Sequence, residues 1–83
     1  MERTIIYRAD NYINGREIFS GYYLTFHQAQ AALEYQNETD HADGDYGLIT
    51  QFDAATEDLK IDDPQAMTAL WDKSENMEYY YFI

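Results

Sequence analysis

The sequence predicts an α+β domain: a small, mainly antiparallel sheet with two helices on one face, in the order β-β-α-β-(β)-α-β. Three observations predict it. Asn14-Gly15 stands between two runs of β-branched and aromatic residues, which is a hairpin signature. Phe26, Ala29, Ala32 and Leu33 recur at helical spacing behind a Thr25/Gln28 capping box. Asp63-Pro64 opens a second helical pattern that carries Ala66, Met67, Leu70 and Trp71.

The elements follow in order. Thr4-Ile5-Ile6-Tyr7-Arg8-Ala9 has strand composition and is continued by a weaker pattern to Ile13. After the Asn14-Gly15 turn, Arg16–Phe19 forms the return strand, extendable to Leu24, with Gly21 marking a bulge or bend. A helix is expected from Phe26 to Gln36, its first turn stapled by Leu24, and a polar loop from Asn37 to Gly44. Tyr46–Phe52 reads as a strand with Leu48 and Phe52 on one face and Ile49 on the other. Asp53–Asp58 has no clear pattern, whereas Leu59 and Ile61 alternate with charges as in a short edge strand. The second helix ends near Lys73, and Met77–Ile83 closes the chain as a strand.

Residues 1–83 form a single domain on this reading, with a modest core for so short a chain. Nine Tyr, four Phe and one Trp supply large rings to fill it. The absence of Cys excludes a disulfide framework, a thiol nucleophile and a Cys-ligated zinc site, and suits a reducing, cytoplasmic setting. Neither a signal-peptide pattern nor an apolar run of membrane-spanning length occurs, which predicts a soluble protein without a membrane partner.

Charge is the outlying property. Sixteen acidic residues face five basic ones, for a net charge of −11. Residues 1–36 hold four acids and three bases, and residues 37–83 hold twelve acids with only Lys60 and Lys73. A surface this anionic repels nucleic acid and anionic lipid, so its favourable partners are cationic. Small domains commonly carry about 2–8 net charges for solubility alone, and this chain exceeds that range.

Catalytic and metal-binding chemistry finds little support. His27 falls in the first turn of a helix with no Ser or acid at a relay spacing, and reads as a rim histidine. The segment Asp40-His41-Ala42-Asp43-Gly44-Asp45 superficially resembles a calcium loop. Placing Gly44 at the sixth position puts Thr39 first and Thr50 twelfth, and placing Gly47 there puts Ala42 first. Neither register supplies the required oxygen ligands. Glu57-Asp58 and Asp62-Asp63 are adjacent carboxylates, but acid–base catalysis needs an enclosed pair with divergent pKa values. The expectation is a binding protein, with no catalytic, cofactor or metal site. The closing Glu78-Tyr79-Tyr80-Tyr81-Phe82-Ile83 run splits by alternation: one face suits core packing, and the face with Tyr80 and Phe82 offers contact surface.

The candidate partner-binding residues are therefore Glu38, Asp40, Asp43, Asp45, Asp53, Glu57, Asp58, Asp62 and Asp63, with Tyr80 as an aromatic contact. Together with Asp72, Glu75 and Glu78, these acids give the chain the character of small phage-encoded inhibitors of host defence. It resembles anti-CRISPR proteins and other nucleic-acid mimics in size, acidity, aromatic content and lack of cysteine, without a shared motif. The resemblance implies a protein that blocks a basic nucleic-acid-binding protein and does not itself bind nucleic acid, in the cytoplasm of a host cell. Antitoxins and immunity proteins that neutralise a basic nuclease share this composition. A structural accessory subunit or homodimer, built on sheet edges and exposed Tyr, is the alternative of another class.

Overall fold

The computed structural model describes residues 2–13, 15–40, 46–74 and 77–82, with the side chains of 35–40, 81 and 82 left aside. The elements are β1 (Arg3–Ile13), β2 (Arg16–Tyr23), α1 (Phe26–Asp40), β3 (Tyr46–Ala55), a 3-10 turn (Thr56–Asp58), α2 (Pro64–Lys73) and β4 (Glu78–Phe82). The four strands form one antiparallel sheet in the order β2-β1-β3-β4. Class and order are those the sequence predicts.

Local chemistry accounts for the joints. Gly15 follows β1 at a φ of 77°, a backbone region open to glycine at little cost, while Asn14 lies outside the described residues. Opposite Ala9 and Asp10, β2 carries one extra residue: Ala9 pairs with Gly21, and Asp10 pairs with Phe19. The irregularity lies beside Gly21, whose φ of 142° again favours glycine. Thr25 Oγ1 accepts from the Gln28 backbone N–H at 3.2 Å, as the capping box requires. Leu24 keeps 50% of its surface exposed, so it does not bury itself as a staple. The Asp63 carboxylate accepts from the Gln65 and Ala66 backbone N–H groups, both at 3.2 Å, and Pro64 occupies the first helical turn.

Three expectations need correction. Helix α1 continues to Asp40, so Glu38 and Asp40 belong to its last turn and not to a loop. No strand forms at Leu59 and Ile61; β3 runs on to Ala55, and these two side chains pack from beyond the 3-10 turn onto the Met67 cluster. The third correction matters most: the helices do not share a face.

Alternation along the strands separates two cores. Ile6 pairs with Phe52, and on that face they pack with Tyr22, Ala54 and Met67, flanked by Leu70 and Trp71 of α2. Ala9 pairs with Ile49, and on the opposite face they pack with Ala29 and Leu33 of α1. The sheet is thus covered by α2 on one side and by α1 on the other. A central strand clothed on both sides should read as a continuous apolar run. Here Arg8, Asp10, Asn11 and Thr50 are all buried polar residues, and they hide that pattern.

Helix α1 follows the direction of β1. Phe26 meets Tyr7 edge-on with ring centroids 5.8 Å apart, and Leu33 reaches the level of Asn11 and Gly47. The approach is close: a Cβ on Gly47 would stand 2.9 Å from Leu33 Cδ1 and 3.2 Å from Asn11 Oδ1. Gly47→Ala should cost about 1–3 kcal/mol through overpacking. A lower urea midpoint would register that loss, and an unchanged midpoint would mean that Leu33 moves aside freely.

Candidate functional site

Ten residues of β3 at about 3.4 Å each hold its two ends about 30 Å apart. That separation organises the acidic residues. Asp53, Glu57 and Asp58 lie at or just beyond the C-terminal end of β3, with Glu57 and Asp58 exposed in the 3-10 turn. Glu78 begins β4 opposite Gln51, near the same end. Helix α1 climbs the other way, and its last turn, with Glu38 and Asp40, lies beyond Leu33 toward the Gly47 end. Asp43 and Asp45 lie outside the described residues, as does Glu75, and the side chains of Glu38 and Asp40 are likewise not described. Asp62 and Asp63 are exposed ahead of α2, where Asp63 already serves as its cap. Among the described residues, Asp53, Glu57, Asp58 and Glu78 gather near one end of β3, and the last turn of α1 lies toward the other. The separation of the two ends is several Debye lengths at physiological salt, so a partner experiences them as separate fields.

The C-terminal end of β3 contains the better-defined surface. A groove of about 320 Å³ is lined by Ile5, Gln51, Phe52, Asp53, Met77 and Glu78. Ile5, one of the lining residues, is 49% exposed, on the part of the sheet that α1 leaves uncovered. Asp53 and Glu78 set carboxylates on this apolar floor. Arg3 Nε donates to Asp53 Oδ2 at 2.8 Å, which holds the Asp53 carboxyl below its ordinary pKa. Tyr80 Oη donates to Glu78 Oε2 at 2.7 Å, and this bond to a carboxylate raises the tyrosine pKa. The Tyr80 ring stands edge-on to Phe26 at 5.2 Å, which fixes its position beside the groove. Tyr80 is therefore joined to Glu78, which lines the same groove as Asp53.

A neighbouring cleft of about 240 Å³ joins Arg3, Asp53 and Asp58 to Leu70, Lys73 and Ser74. Sequence reasoning had no route to Ile5, Gln51, Met77 or Glu78 as a set. Exposed Ile5 inside a strand was the available signal, but its exposure depends on where α1 stops covering the sheet.

A second charged group lies under α2. Arg8 Nε donates to Asp10 Oδ2 at 2.9 Å, and its other nitrogens donate to Tyr22 Oη at 2.9 Å and to Glu17 Oε1 at 3.4 Å. The guanidinium carbon lies 4.1 Å from the Trp71 ring centroid and 5.0 Å from that of Phe19, so the cation is stacked as well as paired. Burial opposes the charge on Arg8, but its bonds to Asp10 and Tyr22 outweigh that and raise its pKa. Asp10 is the more deeply buried partner, with a side chain 3% exposed against 10% for Arg8. Burial therefore lifts the Asp10 carboxyl above its ordinary value despite Arg8, and Glu17 adds to the lift. This cluster is structural: two carboxylates share one enclosed cation.

The two shifted carboxyls act on stability with opposite signs. Folded Asp10 binds its proton more tightly than the unfolded chain does. Its contribution is complete below pH 3.8 and declines as pH rises through the folded value. Folded Asp53 binds its proton less tightly, so its contribution exists above pH 3.8 and fades as pH falls through the folded value. Asp10→Asn should flatten the decline on the alkaline side of 3.8 and leave the acid-side loss in place. Urea midpoints measured across that range would show the change, and an unaltered profile would remove Asp10 as its source.

Among the described residues, no group of three or more His, Cys, Asp or Glu is placed to hold a metal ion, and no helix is long and apolar enough to cross a membrane. His27 is exposed in the first turn of α1. No family model matches the chain, and neither a curated protein nor a solved structure matches it.

Proposed function

We propose that this protein is a non-enzymatic binding protein that docks on a basic, nucleic-acid-binding surface of another protein and blocks it by occupancy. The observation that carries this reading is the groove at the C-terminal end of β3, which exposed Ile5 and partly buried Met77 line together with Asp53 and Glu78. An apolar floor with anionic sides suits Lys and Arg side chains, whose alkyl stems lie on apolar surface while their heads reach carboxylates. Glu57 and Asp58 extend the negative field beside it. The net charge of −11 supplies long-range attraction toward a cationic target. The charge character shared with small anti-defence inhibitors points the same way.

The test is capture from a nuclease-treated lysate by the immobilised protein. The expected captured proteins are basic and nucleic-acid-binding, released both by added DNA or RNA and by salt. Raising salt from about 0.1 to 1 M shortens the Debye length from about 10 to 3 Å, which should dissociate a charge-steered complex. Captured proteins that ignore both competitors would sink the reading. Neutralising Glu57, Asp58 and Glu78 together should slow association about tenfold with little change in dissociation. The same experiment on Asp40→Asn, Asp43→Asn and Asp45→Asn tests the opposite end of the molecule; equal slowing from both sets would mean that the partner spans the two.

A further inference from the structure

We propose that a second copy of the chain pairs with the outer edge of β2, so that two four-stranded sheets join into one across a two-fold axis. Strand β2 is terminal in the sheet order, and among the described residues no strand lies beyond it. It is eight residues long, against five for the opposite edge strand β4, which Glu78 guards with a charge. Its first four residues, Arg16–Phe19, are exposed, and two of them are Ile18 and Phe19, each 39% exposed on opposite faces. A long edge with apolar side chains on both faces is a template for further strand pairing.

Charge selects the occupant. Residues 2–23, the whole β1–β2 hairpin, contain Glu2, Asp10 and Glu17 against Arg3, Arg8 and Arg16, which is neutral. The remainder of the chain therefore holds the entire net charge of −11. Most other approaches of two copies bring anions together, whereas β2 against β2 joins their neutral hairpins. Arg8 already binds Asp10 and Glu17, so those two acids add little repulsion at the seam.

Two-fold antiparallel pairing also fits the side chains. Centring the pair on Ile18 places the two Ile18 side chains opposite each other on one face. The two Phe19 rings then fall diagonally on the other face, about 7–8 Å apart between backbones and within reach of aromatic contact. The seam is isologous and closed, so it stops at two copies. With that centre the two strands pair over Arg16–Ser20, about 17 Å of strand, and the association is correspondingly weak, in the range of about 1–100 µM.

Sedimentation velocity over that concentration range tests this inference. The expected result is a species of twice 9.8 kDa whose share grows with concentration. Its share should also grow with salt, because screening removes the repulsion between two anionic bodies. That sign is opposite to the one expected for docking on a basic partner. Ile18→Lys places a charge on the two-fold axis, and Arg16→Glu makes the seam anionic; each should weaken the dimer at least about tenfold. Tyr79→Lys on the other edge strand should leave it intact. A wild-type chain that stays monomeric throughout, or a dimer that survives Ile18→Lys, would overturn the proposal.

Discussion

Arg8→Ala should destabilise the protein by about 3–5 kcal/mol, the cost of leaving a buried carboxylate without its cation. A domain of this length has about 4–12 kcal/mol in total, so the variant should lose a large share of its stability. The cause lies in the geometry beneath α2. Asp10 is 2% exposed, its Oδ2 accepts from Arg8, and its Oδ1 has no hydrogen-bond partner among the described residues. Removing Arg8 also leaves Tyr22 Oη, among the described residues, with Thr68 Oγ1 at 2.8 Å and takes the stacked cation from under Trp71. The paired change Arg8→Met with Asp10→Leu separates charge from packing. Replacing both members of a buried ion pair with apolar residues is often neutral, so the double variant should regain most of the loss. Urea denaturation of the two single variants and the double gives the coupling directly. Additive losses would mean that the two side chains act independently.

The second large effect is expected at Phe52. Phe52→Ala should cost about 3–5 kcal/mol, since it removes a ring that is 1% exposed and joins both strands of the central pair to α2. Its neighbours are Ile6 across the ladder, Tyr22 edge-on with centroids 6.1 Å apart, and Met67, which is fully buried. None of these can collapse into the space without dragging a strand or the helix. Ile5→Ala, one residue from Ile6 but on the uncovered side, should change the urea midpoint little and weaken partner capture instead. Comparable losses at both sites would mean that the groove belongs to the core and not to an interface.

Much of the fold was legible because its signals are local. Asn14-Gly15, the Thr25/Gln28 cap and Asp63-Pro64 act through the backbone within a few residues, and each stands where a strand or helix was expected to turn or begin. The end of α1 was less legible. Glu34-Tyr35-Gln36-Asn37-Glu38 carries little apolar periodicity, yet the helix continues to Asp40, beyond the point where Leu33 covers Gly47. The supposed strand at Leu59–Ile61 failed for a similar reason: two apolar residues in alternation suit a turn packed on Met67 as well as they suit a strand.

The candidate site was only partly legible. Acidic residues are visible in any sequence, but their grouping depends on which end of β3 each one reaches. Asp53 stands 25 residues before Glu78 in the chain, and the two come to one groove because Glu78 pairs with Gln51, a register that no local pattern encodes.

Composition and local chemistry, taken from the sequence alone, determined the α+β class, the order of the elements, the caps and turns, and an excess of anions weighted to the second half. Tertiary structure decided which side of the sheet each helix covers, because the buried polar residues Arg8, Asp10, Asn11 and Thr50 satisfy neither a simple inside nor a simple outside pattern. It also decided that Asp53, Glu57, Asp58 and Glu78 gather near one end of β3 while the last turn of α1 lies toward the other, since a strand about 30 Å long separates the two ends.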